Sequence, residues 1–424
     1  MAAYKKRIVD NILSQKLESS GAVLIEGAKW CGKTTTAEQH AKSIIYMDDP
    51  AEMGQNIKLA EINPKRLLAG DTPRLIDEWQ IAPQLWDSIR FTVDHRDSLG
   101  QFILTGSAVP ADRSKVHHTG TGRFSWLTMR PMSLWESGES NGEVSLRSLF
   151  EAPVFIDGQN GLNIDDLAFL ICRGGWPRTL GMRREAALRQ AENYYDAVVN
   201  NDISRVDGVD RNSHRAHRIM RSLARFQGSQ TSLATIREDI VTNDVETIHA
   251  ETVSSYIDAL KKIFVIEDSP AWNPNLRSKA AIRTSDTRYF IDPSIATASL
   301  GAGPDDLIND LNTMGLLFET LCVRDLRVYA QSLDGNLYHY RDSNGLECDA
   351  VVHLRNGQYG LVEIKLGGDS LIADGKKTLK ALSDVIDTTK MKAPSFRMVL
   401  TGTGNYAYRD EDGSYIVPIG CLKD

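Results

Sequence analysis

The sequence predicts an α/β protein built in three parts, and three observations carry that prediction. Short, continuous apolar runs alternate with helical stretches over residues 22–107, the pattern of parallel strands covered on both faces. A helical pattern unusually dense in arginine follows, from Asp165 to about Leu260. From about residue 286 the chain returns to strands and turns, with Asn-Gly pairs at Asn344-Gly345 and Asn356-Gly357. At roughly 150 residues per domain, 424 residues give two to four domains. The polar stretch Ser137–Glu143 (SGESNGE) reads as a linker. We expect domains at 1–140, 141–285 and 286–424.

Composition sets limits on function. Hydrophobic residues make up 42% of the chain, enough for ordinary globular cores. The net charge of −7 excludes a uniformly basic surface, so any nucleic-acid contact needs a local patch. The five cysteines (Cys31, Cys172, Cys322, Cys348, Cys421) lie far apart and form no C-x-x-C pair. They read as free thiols in a reducing compartment. The first twenty residues lack the apolar stretch of a signal peptide. No apolar run approaches the ~18 residues that span a bilayer. The expectation is a soluble, cytoplasmic protein without a membrane partner.

In order along the chain, the first strand is Ala22–Glu26, and the loop after it reads Gly27-Ala28-Lys29-Trp30-Cys31-Gly32-Lys33-Thr34. This fills the pattern G-x-x-x-x-G-K-[ST] between a strand and a helix expected to start near Lys33. Backbone N–H groups of such a loop wrap a phosphate, aided by the positive helix N-terminus. Lys33 is expected at the β/γ-phosphates of ATP and Thr34 on Mg²⁺, with Thr35 beside it. The next strand, Ser43–Met47, precedes Arg74–Ile76, which ends in Asp77-Glu78. There Asp77 completes the Mg²⁺ shell and Glu78 polarises the attacking water. The strand Gln101–Thr105 leads to Ser107, a weaker candidate for γ-phosphate contact, equally readable as a turn residue. Arg123 is a candidate finger or sensor for the γ-phosphate of its own chain or of a neighbouring subunit, and Arg130 a lesser one. Surface ion pairing is the alternative for both.

The order of P-loop, LIDEWQ, FILTGSA, TGRFSWLTMRPMSLWE and CRGGWPRTL resembles a large bacterial and archaeal group of predicted AAA-type ATPases with a C-terminal domain of unknown function. The likeness covers nearly the whole chain. It implies an additional-strand P-loop core of AAA type with Glu78 as base, and assembly into rings is common among such cores. It supplies no substrate.

The middle section reads as three helices followed by a strand ribbon. Ile236 and Ile240 mark one helix; Val253, Ile257 and Leu260 mark a longer one ending at Lys261-Lys262, before a strand at Ile263–Ile266. That order resembles a winged helix-turn-helix. On this reading Thr252, Ser254, Ser255 and Tyr256 face a DNA groove and the two lysines meet phosphate. The acids Glu238, Asp239, Asp244, Glu246 and Glu251 argue instead for a protein-binding module. The turn Gly174-Gly175-Trp176-Pro177 reads as structural.

The C-terminal section carries Asp349 on one strand and Glu363-x-Lys365 on the next. A metal-dependent nuclease of the PD-(D/E)xK, restriction-endonuclease-like type uses such a set: carboxylates for Mg²⁺ and a lysine at the attacked phosphate. A two-residue Asn-Gly turn would put Asp349 opposite Ile364. A three-residue loop with Gly357 left-handed pairs residue 354 with 358, and sets Asp349 opposite Glu363 and Glu347 opposite Lys365. Glu319, in the apolar helix MGLLFETLCVRDL, is added by resemblance to this nuclease superfamily.

Two functions stand side by side. One is an ATP-hydrolysing, Mg²⁺-dependent protein acting on DNA or RNA through a winged helix and a nuclease-like domain. The other is an ATP-dependent switch for a protein partner, its nuclease fold inactive. Phosphoryl transfer to a small molecule leaves two domains unexplained.

Overall fold

The computed structural model describes residues 4–106, 119–151, 153–243, 248–274 and 285–424. The chain begins with α1 (Ile8–Ser19), β1 (Ala22–Glu26), α2 (Lys33–His40), β2 (Ser43–Tyr46), α3 (Met53–Ile62), α4 (Pro64–Leu67) and β3 (Arg74–Asp77). It continues through α5 (Leu85–Arg96), β4 (Phe102–Gly106) and β5 (Phe124–Thr128). The strands form one parallel sheet in the order β2-β3-β4-β1-β5. β4 is inserted between β1 and β3, so the ends of β1 and β3 lie one strand apart on the same edge. β1 and β4 are buried almost throughout, which is why their sequences are continuously apolar. The outer strand β2 instead exposes Ile44 and Tyr46. Val9 and Leu13 of α1 cover one face, and Trp79, Trp86 and Ile89 pack on the other.

The next elements are α6 (Leu134–Ser137), β6 (Val144–Ser145), α7 (Leu146–Glu151) and β7 (Gly158–Gln159). β6 pairs with the last strand of the chain, Leu422–Lys423, and β7 with Tyr406–Ala407. β6 and β7, expected in the middle domain, therefore pair with strands of the C-terminal domain.

The middle domain comprises α8 (Ile164–Arg173), α9 (Arg184–Ala197), a π-helical turn Val198–Asp202, α10 (Ile203–Arg205), α11 (Ser213–Arg225), α12 (Leu233–Asn243) and α13 (Ala250–Lys262). β8 (Ile266–Ser269) and β9 (Thr287–Phe290) then form an antiparallel pair, followed by α14 (Pro293–Leu300) and α15 (Pro304–Asn309). A bridge from Ser229 to Arg288 adds one residue of a third strand. The strand expected at 263–266 starts only at Ile266, because Phe264 turns the chain in a left-handed conformation (φ 58). The expected boundary at 285/286 separates β9 from its partner. The middle domain runs on until α16.

The C-terminal domain opens with α16 (Leu311–Ser332) and continues through β10 (Gly335–Arg341), β11 (Glu347–Leu354), β12 (Tyr359–Lys365), α17 (Asp369–Val385), β13 (Phe396–Thr401), β14 (Tyr406–Arg409), β15 (Tyr415–Pro418) and β16 (Leu422–Lys423). The sheet order is β10-β11-β12-β13-β15-β14-β7. β10, β11 and β12 are antiparallel, and β12, β13 and β15 run parallel. Alternate residues divide between two cores. Ala350, Val352 and Val362 join the α16 side, while Val351, Leu361 and Val399 pack with Leu379 and Leu382 of α17. Among the described residues no helix is long and apolar enough to cross a membrane.

Candidate functional sites

The nucleotide pocket grows from the end of β1. Gly27 has a φ of +149, and a Cβ there would lie 2.0 Å from the Met129 carbonyl oxygen, so only glycine lets the chain pass. Ala28 and Cys31 are buried beneath the loop, and Gly32 (φ 103) caps α2. Lys33 folds back over the loop and donates to the carbonyls of Gly27 (2.9 Å) and Ala28 (2.8 Å). Arg7, buried, clamps the loop from behind: it donates to the Cys31 carbonyl at 2.9 Å and pairs with Glu136 at 2.9 Å. Arg7 belongs to no motif and is joined to the loop only by the fold.

At the neighbouring strand end, the Thr34 hydroxyl donates to Asp77 Oδ1 at 2.8 Å, and Thr105 bonds the same oxygen. Glu78 is left-handed (φ 53), so the adjacent carboxylates diverge: Asp77 turns into the protein and Glu78 into the cavity. Burial pushes both carboxyls above their usual range; for Asp77 the charges of Asp48 and Glu38 add to it, while Lys33 pulls Glu78 back. A hydroxyl and a carboxylate are hard oxygen donors. They fit Mg²⁺.

The cavity measures about 1120 Å³ and is lined by Lys33, Thr34, Thr35 and Glu78 from the first domain and by Arg173 and Arg178 from the middle one. Lys29 pairs with Asp202 at 2.6 Å, and Trp30 meets Tyr194 edge-on at 5.5 Å, so the loop apex also touches the middle domain. Arg173 is tied to Glu139. Arg178 is exposed. The sequence reading passed over both arginines, although they flank the Gly174–Pro177 turn. That turn is structural as expected: Trp176 is buried and donates to Ser294 at 2.9 Å.

Within its own chain, Arg123 lies away from the pocket. It precedes β5 beside the start of β1, across the sheet from the P-loop, and pairs with Asp94 at 2.7 Å. Five strand residues, about 15 Å, separate the two edges. Arg130 lies at the correct edge, but it donates to Glu267 (2.8 Å) and Gln331 (3.0 Å) instead of lining the cavity. Ser107 lies outside the described residues.

Of the residues assigned to a DNA groove, Thr252 and Ser254 are part-exposed, while others are engaged within the chain. Tyr256 is buried and donates to the Asn212 carbonyl at 3.2 Å. Ser255 accepts from Arg211 at 3.1 Å. Lys261 pairs with Asp268, and Lys262 with Asp207 at 3.1 Å. The lysine charges are answered within the chain.

In the C-terminal domain the hairpin register is the one expected for a left-handed Gly357. Its φ is +81, Leu354 N donates to Gln358 O at 2.8 Å, and Ala350 pairs with Val362. β11 then bulges against β10, between the pairs at Tyr338 and Tyr340; such bulges re-aim a side chain. Asp349 Oδ2 accepts from the backbone N–H of Ile364 at 2.7 Å. Lys365 Nζ stands 3.2 Å from Asp349 and 2.7 Å from Glu363. Glu347 pairs with Arg341 at 2.9 Å, apart from this cluster. Glu319 accepts from the Tyr289 hydroxyl at 2.6 Å. Burial, then the charge of Asp349, pushes the Glu319 and Glu363 carboxyls far up.

Three carboxylates face one ammonium here, so donor chemistry and charge both suit a hard divalent cation. The arrangement does not yet gather them: among the described residues no three such groups are placed to hold one ion. Lys365 draws Asp349 and Glu363 to itself, and Tyr289 holds Glu319.

The AAA domain family matches residues 19–137. A domain of unknown function, DUF8612, matches residues 164–306, and another, DUF4143, matches residues 314–422. No curated protein matches the chain. The Walker-type ATPase PABY2304 of Pyrococcus abyssi is similar at 15% identity and a TM-score of 0.42, over 68% of this chain and 94% of its own. The chain thus carries an AAA-type P-loop ATPase domain at 19–137, followed by two domains whose families have no assigned function.

Proposed function

We propose that the protein hydrolyses ATP at this pocket and uses the cycle to govern its C-terminal site on nucleic acid. The observation that carries the reading is one cavity holding Lys33, Thr34, Glu78 and Arg178, supplied by two domains. Lys33 and the loop N–H groups bind the β/γ-phosphates. Thr34 and Asp77 would hold Mg²⁺, which would offset phosphate charge. Glu78 takes the proton of the water that attacks the γ-phosphorus as the bond to ADP breaks. Arg178 answers the charge on the departing phosphoryl group. Lys33→Ala is expected to abolish ATP turnover, and Glu78→Gln to lower it about a hundredfold or more while binding persists. Undiminished turnover in both variants sinks the assignment.

For the C-terminal domain, the order α16, antiparallel β10-β11-β12, α17 and parallel β13 supports a nuclease-like fold. The cluster of Asp349, Glu363 and Lys365 supports action on phosphodiesters, with Glu319 as the further carboxylate. In the middle domain, α11, α12 and α13 followed by β8 and β9 support a winged helix, used against the rest of this chain more than against DNA. Mg²⁺-dependent cleavage of DNA or RNA, lost in Asp349→Ala and Lys365→Ala, is the expected result. A second reading, an ATP-driven switch with a binding-only C-terminal domain, is favoured by one observation: Lys365 already occupies the cation's place between Asp349 and Glu363. Absence of cleavage on single- and double-stranded DNA and RNA selects it.

A further inference from the structure

The C-terminal cluster is not closed by C-terminal residues alone. Glu319 meets the middle domain, where buried Tyr289 on β9 donates to its Oε1 at 2.6 Å. Beside it stands Gly228, in the left-handed region (φ +64). A Cβ there would lie 2.6 Å from the same Oε1 and 3.3 Å from Oε2. Gly228 N donates to the Arg288 carbonyl and Arg288 N to the Ser229 carbonyl, each at 3.2 Å, so this loop and β9 move as one piece. Gln227 joins that piece to α16: its Oε1 accepts from Phe290 N at 3.0 Å and from the Thr320 hydroxyl at 3.2 Å. On the ring's side, the Arg327 guanidinium lies 5.5 Å from the Tyr289 centroid.

A half-buried carboxylate such as Glu319 is costly without a donor. The middle domain supplies one, and keeps a glycine where any side chain would collide with the carboxylate. We propose that Tyr289 is a positioning residue of the C-terminal site, fixing one oxygen of Glu319 so that the other can serve a divalent cation together with Asp349 and Glu363. The inference rests on the nuclease reading above. It makes that site composite: the middle domain completes it, and the C-terminal domain alone would hold Glu319 loosely. Hydrogen-bond partners of metal-binding carboxylates commonly change metal affinity about 10- to 100-fold when removed.

The test is a Mn²⁺ titration of the full-length, nucleotide-free protein, with free ion read by its electron paramagnetic resonance signal. Asp349→Ala serves as the blank that removes the C-terminal site. Wild type is expected to show an Asp349-dependent site, and Tyr289→Phe to bind there about tenfold more weakly. The double variant Tyr289→Phe/Glu319→Gln is expected to lose no more than Glu319→Gln alone. Wild-type affinity in Tyr289→Phe overturns the inference and leaves the nuclease reading standing. Additive losses in the double variant also overturn it, because Tyr289 would then act apart from Glu319. If wild type shows no Asp349-dependent site, the metal reading falls and takes the inference with it.

Discussion

Asp77 and Glu78 are adjacent, yet their side chains part because Glu78 takes a left-handed backbone (φ 53) at the end of β3. One carboxylate stays with Thr34 and Thr105 under the sheet; the other reaches the cavity. That division was legible in the sequence, since a P-loop and an acidic strand end are local motifs. The arginine proposed to serve with them was not. Arg123 and Arg178 look alike as letters, and only the sheet's direction separates them: Arg123 sits at the start of β5, Arg178 beside the loop that closes the pocket. Substituting Arg178 with Ala is expected to lower kcat about a hundredfold, the usual cost of removing one transition-state donor. Arg123→Ala should leave the rate unchanged, because it removes only an exposed ion pair. Steady-state ATPase measurements on the two variants decide between them; the opposite ranking would return the role to Arg123.

At the level of elements, the β11–β12 hairpin shows what a short stretch of sequence can specify. Asn356-Gly357 allows two registers, and the left-handed Gly357 selects the one that brings Asp349 toward Glu363 and Lys365. The last step, the bulge in β11 that turns Asp349 to the Ile364 N–H, depends on pairing with β10 and is not written in the hairpin itself. Helix α13 shows the opposite case. Its lysines looked free because their partners, Asp207 and Asp268, are on other elements. Nothing lies within 4 Å of a Cβ built on Gly357, so Gly357→Ala isolates the backbone cost, about 1 kcal/mol. Gly357→Asn should recover most of it, since Asn tolerates this conformation. Urea unfolding measures both; equal stability of all three proteins would mean the turn does not set the register.

Across the whole molecule, three domains meet on α16 through buried charges, and periodicity or spacing in the sequence could not have paired them. Asp325 accepts from the Leu134 N–H of the first domain at 2.9 Å, and Arg324 reaches Asp292 of the middle domain at 2.9 Å. Asp292 in turn accepts from Gly175 N at 2.9 Å, next to the turn that presents Arg178. A second junction is Glu267, bound by Arg130 from the ATPase domain and facing Arg327 of α16 at 3.6 Å. The two guanidinium charges overcome burial and hold the Glu267 carboxyl down at about 2, against an ordinary 4.5. A depressed carboxyl contributes stability that is complete above its unfolded value and is lost as pH falls from about 4.5 toward 2. About a quarter of the side chain stays exposed, 28%, so the contribution is roughly 2 kcal/mol rather than the full shift. Glu267→Gln should therefore be less stable than wild type by about that amount at pH 7, with the gap closing as pH approaches 2. Because Glu267 joins domains, the loss should appear as earlier separation of the ATPase domain in a calorimetric melt, before its own unfolding. A gap that stays constant with pH would mean that the carboxylate's charge does not hold this junction.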